Sequence, residues 1–104
     1  MKAYSVIIDS LAKQDMLDIR RYISLTLKNS AAAERIYTSM KTAISTLDQN
    51  PKRQAVVREE PYASLGIRAL SVENYVAFYM VNEAGSRVNV FRVLYNRREW
   101  QNLL

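Results

Sequence analysis

Apolar positions along this chain change their spacing several times, and each spacing predicts an element. Residues 3–8, AYSVII, have Ser5 as their only clearly polar member and read as a first strand. Asp9 or Ser10 then caps a helix. Ala12, Met16, Ile19, Ile23 and Leu27 fall at i, i+4, i+7, i+11 and i+15, one helical face, with Asp15, Asp18, Arg20 and Arg21 on the others. Lys28, Asn29 and Ser30 break the pattern, and Ser30 is a plausible N-cap. A second helix is expected from about Ala31 to Asp48, on the stripe Ala33, Ile36, Tyr37, Met40, Ile44 and Leu47. It ends before Pro51, because proline disfavours the α conformation in the residue preceding it.

Residues 51–65 carry no period and read as a long loop. From Ile67 the spacing is that of strands: 67–72, then Glu73 and Asn74 as a two-residue turn, then 75–81. Residues 82–86, NEAGS, are a Gly-containing hairpin loop, and 87–95 are the last long strand. The order is β-α-α-β-β-β. Two helices joined by about three residues pack antiparallel, and both need an apolar face to cover. The expected fold class is α+β: a helix hairpin on an antiparallel sheet, two layers, in a single domain over residues 1–104. A short C-terminal helical turn carries Trp100, Leu103 and Leu104, with Trp100 as its anchor on the sheet.

Composition narrows the chemistry. With 104 residues there is room for one core. Cysteine and histidine are both absent. That removes disulfides, thiol chemistry, cysteine zinc sites, the usual general base and the commonest metal ligand. The N-terminal MKAYSVIID is too short and too quickly charged for a signal peptide, and no apolar run approaches the length of a membrane span, so the expected location is the cytoplasm. The net charge of +5 suits a polyanion or an acidic protein. It is concentrated late: from Arg87 to Arg98 there are four arginines and no acidic residue.

No phosphate loop, nucleophile elbow or metal cluster appears. What remains is Arg, Lys and Tyr. These can promote cleavage of RNA by its own 2′-hydroxyl, which needs a base, a cation on the developing phosphorane charge and an acid for the leaving oxygen. Arg92 interrupts the apolar run of the last strand; there it either snorkels to an edge or pairs with a carboxylate such as Glu73 or Glu83. Alternation places it on one pleat face with Val88, Val90 and Leu94.

Several segments resemble the RelE/ParE superfamily, the toxin halves of bacterial type II toxin–antitoxin systems. They are DMLDIRRYI (15–23), LDQNP (47–51), GIRALSVENYVAFYMV (66–81) and VFRVLYNRREW (90–100), in this order and at this length. The resemblance implies a growth-inhibiting toxin, the class that stabilises plasmids, neutralised by a cognate antitoxin and needing no cofactor or metal. Members differ in target. RelE-like toxins cut mRNA in the ribosome, and ParE-like toxins inhibit DNA gyrase. The ribonucleases carry an arginine on the third strand where this chain has Val76, and many carry a histidine where it has Tyr95. The segments NYVAFY and VLYNRREW are similar to the ParE-like group. The resemblance therefore implies a gyrase inhibitor with Tyr95, Arg97, Arg98 and Trp100 as target-binding residues. The alternative is a metal-independent mRNA endonuclease using Arg68, Arg92 or Arg98 on phosphate and Tyr95 for proton transfer. A further alternative is a degenerate, non-toxic partner that only binds its antitoxin.

Overall fold

The computed structural model describes residues 3–96. Strand β1 (Ser5–Ile8) leads into helix α1 (Ser10–Arg21), which continues as a π-helical turn over Tyr22–Thr26. Helix α2 (Ser30–Ser45) comes next and tightens into a 3₁₀ turn, Thr46–Asp48. Strands β2 (Arg68–Val72), β3 (Tyr75–Asn82) and β4 (Arg87–Tyr95) complete the described chain. The helices pack on one face of a four-stranded sheet of order β1-β4-β3-β2. This is the expected α+β architecture.

The sheet is mixed rather than wholly antiparallel. β2, β3 and β4 form the expected meander, but β1 pairs with β4 in parallel, Ser5 opposite Arg87 and Ile8 opposite Val90. The two-helix crossover carries the chain from one edge of the sheet to the other. Apolar β4 thereby gains a neighbour on each side and becomes a central strand. The main core lies between helices and sheet: Ala12, Met16, Met40, Ile44 and Leu47 meet Leu70, Val72, Tyr79, Val88, Val90 and Val93. Fully burying one such large side chain stabilises by roughly 1.5–3 kcal/mol.

Three local features depart from the simple periodic reading. Asn29, not Ser30, caps α2: its Oδ1 accepts from the Ala32 N–H at 3.0 Å. The π turn, closed by Leu27 N–H to Tyr22 O at 3.2 Å, adds a residue to the helical repeat and rotates the side chains after it. Leu27 is thereby swung off the core stripe and is 56% exposed. In β4 a bulge leaves Phe91 unpaired, with Arg92 opposite Phe78 and Val90 opposite Tyr79. Beyond it the alternation flips, so Val93 joins Val88 and Val90 against the helices while Leu94 faces the other side. Leu94 therefore does not share a face with Val88 and Val90.

That other side is covered as well. Val57, Ile67, Val76, Phe78 and Leu94 form a second apolar cluster, with Tyr62, Ala69 and Phe91 packed against it. The loop before β2 is thus folded onto the sheet, pinned by Val57 N–H to Ile67 O at 2.9 Å.

Candidate functional site

The long strands β3 and β4 carry the candidate residues, and their register fixes how far apart these lie. Tyr75 is opposite Tyr95 at one end of the pair, and Phe78 is opposite Arg92 in the middle. Arg68 is opposite Tyr79 on the neighbouring strand. Four residues of β3 separate the level of Arg68 from the level of Tyr95, roughly 13 Å at about 3.3 Å per residue. Arg68 and Tyr95 are thus not brought together.

Both candidate arginines that lie among the described residues are engaged by the protein. Arg92 Nε donates to Asp15 Oδ2 at 2.7 Å and its Nη2 to Oδ1 at 3.0 Å. The backbone N–H of Val93 donates to the same carboxylate at 2.9 Å. Arg92 therefore pairs with neither Glu73 nor Glu83 but with an acid on α1. Strand β1 stops at Ile8 opposite Val90, which leaves the next stretch of the β4 edge open to the α1 carboxylate. Both side chains of the Arg92–Asp15 pair are mostly buried, and the hydrogen-bonded carboxylate raises the Arg92 pKa above its ordinary value. Glu73 instead binds Arg35 through both carboxylate oxygens at 3.0 Å. Glu83 accepts from the Tyr4 hydroxyl at 2.8 Å and pairs with Lys52 at 3.0 Å.

Arg68 serves the loop after α2. Its Nη1 donates to Lys52 O at 3.3 Å and also to Gln54 O. Beside it the buried Tyr79 hydroxyl donates to Pro51 O at 2.6 Å. Burial pushes the Tyr79 pKa up, against the lowering pull of Arg68 and Arg53. Val76, where the superfamily's ribonucleases place an arginine, is 3% exposed inside the second apolar cluster. Among the described residues no cluster of acids could hold a metal ion.

Tyr95 stands apart from these structural pairs. It is 64% exposed and meets Tyr75 edge-to-face, centroids 5.5 Å apart. The two rings form one wall of a cleft of about 560 Å³, closed by Asp18, Ile19, Tyr22 and Leu27. Arg97, Arg98, Trp100 and the expected C-terminal helical turn lie outside the described residues.

Sequence reasoning missed Asp15 as a partner and Tyr22 and Leu27 as cleft residues. Asp15 borders the apolar stripe of α1, one position before Met16, and that border position was the available signal. Nothing in the periodicity announces the π turn.

The family model for the ParE toxin of type II toxin–antitoxin systems matches residues 6–100. The chain belongs to the ParE toxin family. Solved structures agree on the fold. A chain from the chromosomal ParDE system of Pseudomonas aeruginosa superposes with a TM-score of 0.75 at 19% identity, covering 93% of this toxin and 100% of that chain. A chain from a RelBE toxin–antitoxin complex of Mycobacterium tuberculosis gives 0.68 at 18% identity, over 90% and 99% of the two chains. The intact RelBE complex of Escherichia coli gives 0.60 at 18% identity, over 92% and 100%. No curated protein sequence matches significantly. Among the described residues of the toxin, no helix is long and apolar enough to cross a membrane.

Proposed function

We propose that this toxin arrests growth by binding DNA gyrase, without cutting RNA, and that a cognate antitoxin neutralises it. Burial of Val76 is the observation that carries the reading. A valine enclosed in an apolar cluster offers nothing to a phosphate. Arg68 and Arg92, the arginines left to replace it, hold the loop at 52–54 and helix α1 respectively. Histidine is absent from the chain, so an endonuclease would have to rely on tyrosine and arginine. Positioned acid–base groups typically contribute about 100- to 10,000-fold in rate. A binding inhibitor loses nothing by these replacements. It needs a stable surface with an aromatic, basic edge, and exposed Tyr95, followed in sequence by Arg97, Arg98 and Trp100, supports that requirement. The antitoxin partner is supported by the relatives whose structures were solved as toxin–antitoxin complexes.

The test uses purified toxin in two assays. The expected results are inhibition of gyrase supercoiling and intact mRNA on translating ribosomes. Changing Arg97 and Arg98 together to Ala is expected to weaken the inhibition with the fold, read by circular dichroism, unchanged. Codon-phased mRNA cutting, abolished by Arg98→Ala or Tyr95→Phe, would instead establish the ribonuclease reading.

A further inference from the structure

The cleft at the end of β3 and β4 combines three features that core packing does not call for. Tyr22 and Leu27 are 55% and 56% exposed, apolar surface left uncovered side by side in one cleft. Leu27 stands there because of the π turn that Tyr22 opens, a distortion that costs helical regularity and is frequent at functional sites. With Tyr75 and Tyr95 they line a concavity in which three tyrosines converge.

Its electrostatics are opposite to those of the chain as a whole. The protein carries +5, yet none of the described residues lining the cleft is basic. Asp18 is the acid in the wall, and it accepts a hydrogen bond from Gln14 Nε2 at 2.8 Å. Nearby Glu73 is already held by Arg35, whereas Asp18 has no ion-pair partner among the described residues. Burial, with Tyr95, Glu73 and Tyr22 adding to it, pushes the Tyr75 phenol up, so this ring stays neutral in the cleft wall. Arg21 and Lys28, next in sequence to Tyr22 and Leu27, are exposed and lie outside the lining.

We propose that this cleft receives an arginine side chain from a segment of a protein partner. A flat guanidinium stacks on tyrosine faces and pairs with a carboxylate in the same plane, which a lysine ammonium does less well. The volume of about 560 Å³ exceeds one side chain, so an apolar neighbour of that arginine packs on Ile19 and Leu27. The inference does not rest on the gyrase reading, because the cleft selects the side chain and not the protein that presents it.

The test is an NMR titration of the full-length toxin, tracking the ring resonances of Tyr22, Tyr75 and Tyr95. The probe is acetyl-Leu-Arg-Leu-amide. The control is the same peptide with citrulline, which keeps the shape and removes the charge. The expected result is saturable shifts with the arginine peptide, weakened about tenfold by citrulline or by Asp18→Asn, the loss of about 1.4 kcal/mol of binding. Tyr22→Leu, which keeps an apolar wall, is expected to weaken binding as well. Equal binding of the two peptides, or no saturable shift, would overturn the proposal. So would binding that appears only after Arg97 and Arg98 are both changed to Ala, since the chain's own arginines would then be the occupants.

Discussion

Asp15 accepts three hydrogen bonds from two residues of β4. It takes two hydrogen bonds from Arg92 and one from the Val93 backbone, at the point where the β4 bulge interrupts the ladder. Removing one member of such a pair strands the other in a poorly solvated place. Asp15→Ala is expected to cost about 3–5 kcal/mol, read as a lower midpoint in urea unfolding. Asp15→Asn keeps an acceptor for Val93 and is expected to cost less. Two tyrosines give a second expectation, in alkali. Burial raises the Tyr75 and Tyr79 phenols above their usual value of about 10. A group with a raised folded-state value stabilises fully below the unfolded one, and that stabilisation fades as pH rises through the folded one. Ultraviolet titration of tyrosinate is expected to show these two ionising late, with stability falling above pH of about 10. Tyr79→Phe, which removes the bond to Pro51 O, is expected to abolish one of the two late components.

The elements themselves were legible because their signals are local. The helical stripes, the Glu73–Asn74 turn and the strand at 87–95 all lie where the spacing of apolar residues puts them. Ends and irregularities were less so. Ser30 and Asn29 are equally good capping types in sequence, and only the geometry of the turn selects Asn29. Asn29→Ala is expected to cost about 1 kcal/mol in chemical unfolding, while Ser30→Ala changes stability far less. The π turn and the β4 bulge each add one residue to a regular repeat. Such an insertion moves every later side chain to a new face, so Leu27 and Leu94 came out on surfaces the periodicity did not assign to them. The loop before β2 was hidden for a different reason: Val57, Tyr62 and Ile67 stand five residues apart, a spacing of neither helix nor strand, yet together they cover a sheet face.

At the scale of the molecule, the question is what a toxin scaffold does once its polar residues are committed to holding it together. The resemblance to the superfamily's ribonucleases marked Arg68, Arg92 or Arg98 with Tyr95 as one candidate set, and Arg98 lies outside the described residues. The structure spreads the others over strands β2 and β4 and binds both arginines to other parts of the fold. Side-chain pairing across nearly the whole chain, as between residues 15 and 92, is not encoded in any local spacing. Tyr95 stays exposed at one end of the sheet, the surface proposed above for recognition. A partner-binding toxin and a degenerate antitoxin-binding relative would share that surface, so growth separates them. Induction of the toxin alone is expected to stop bacterial growth, and co-expression of the neighbouring gene product to restore it. Normal growth with confirmed folded protein in the cell would assign the chain to the degenerate class. Asp15→Ala supplies an internal control. Its predicted loss of about 3–5 kcal/mol is a large part of the 5–15 kcal/mol typical of a small domain. It is therefore expected to relieve the arrest by lowering the amount of folded toxin. Arg97→Ala with Arg98→Ala is expected to relieve it with the amount unchanged. Measuring soluble toxin beside growth in both variants distinguishes a lost scaffold from a lost contact.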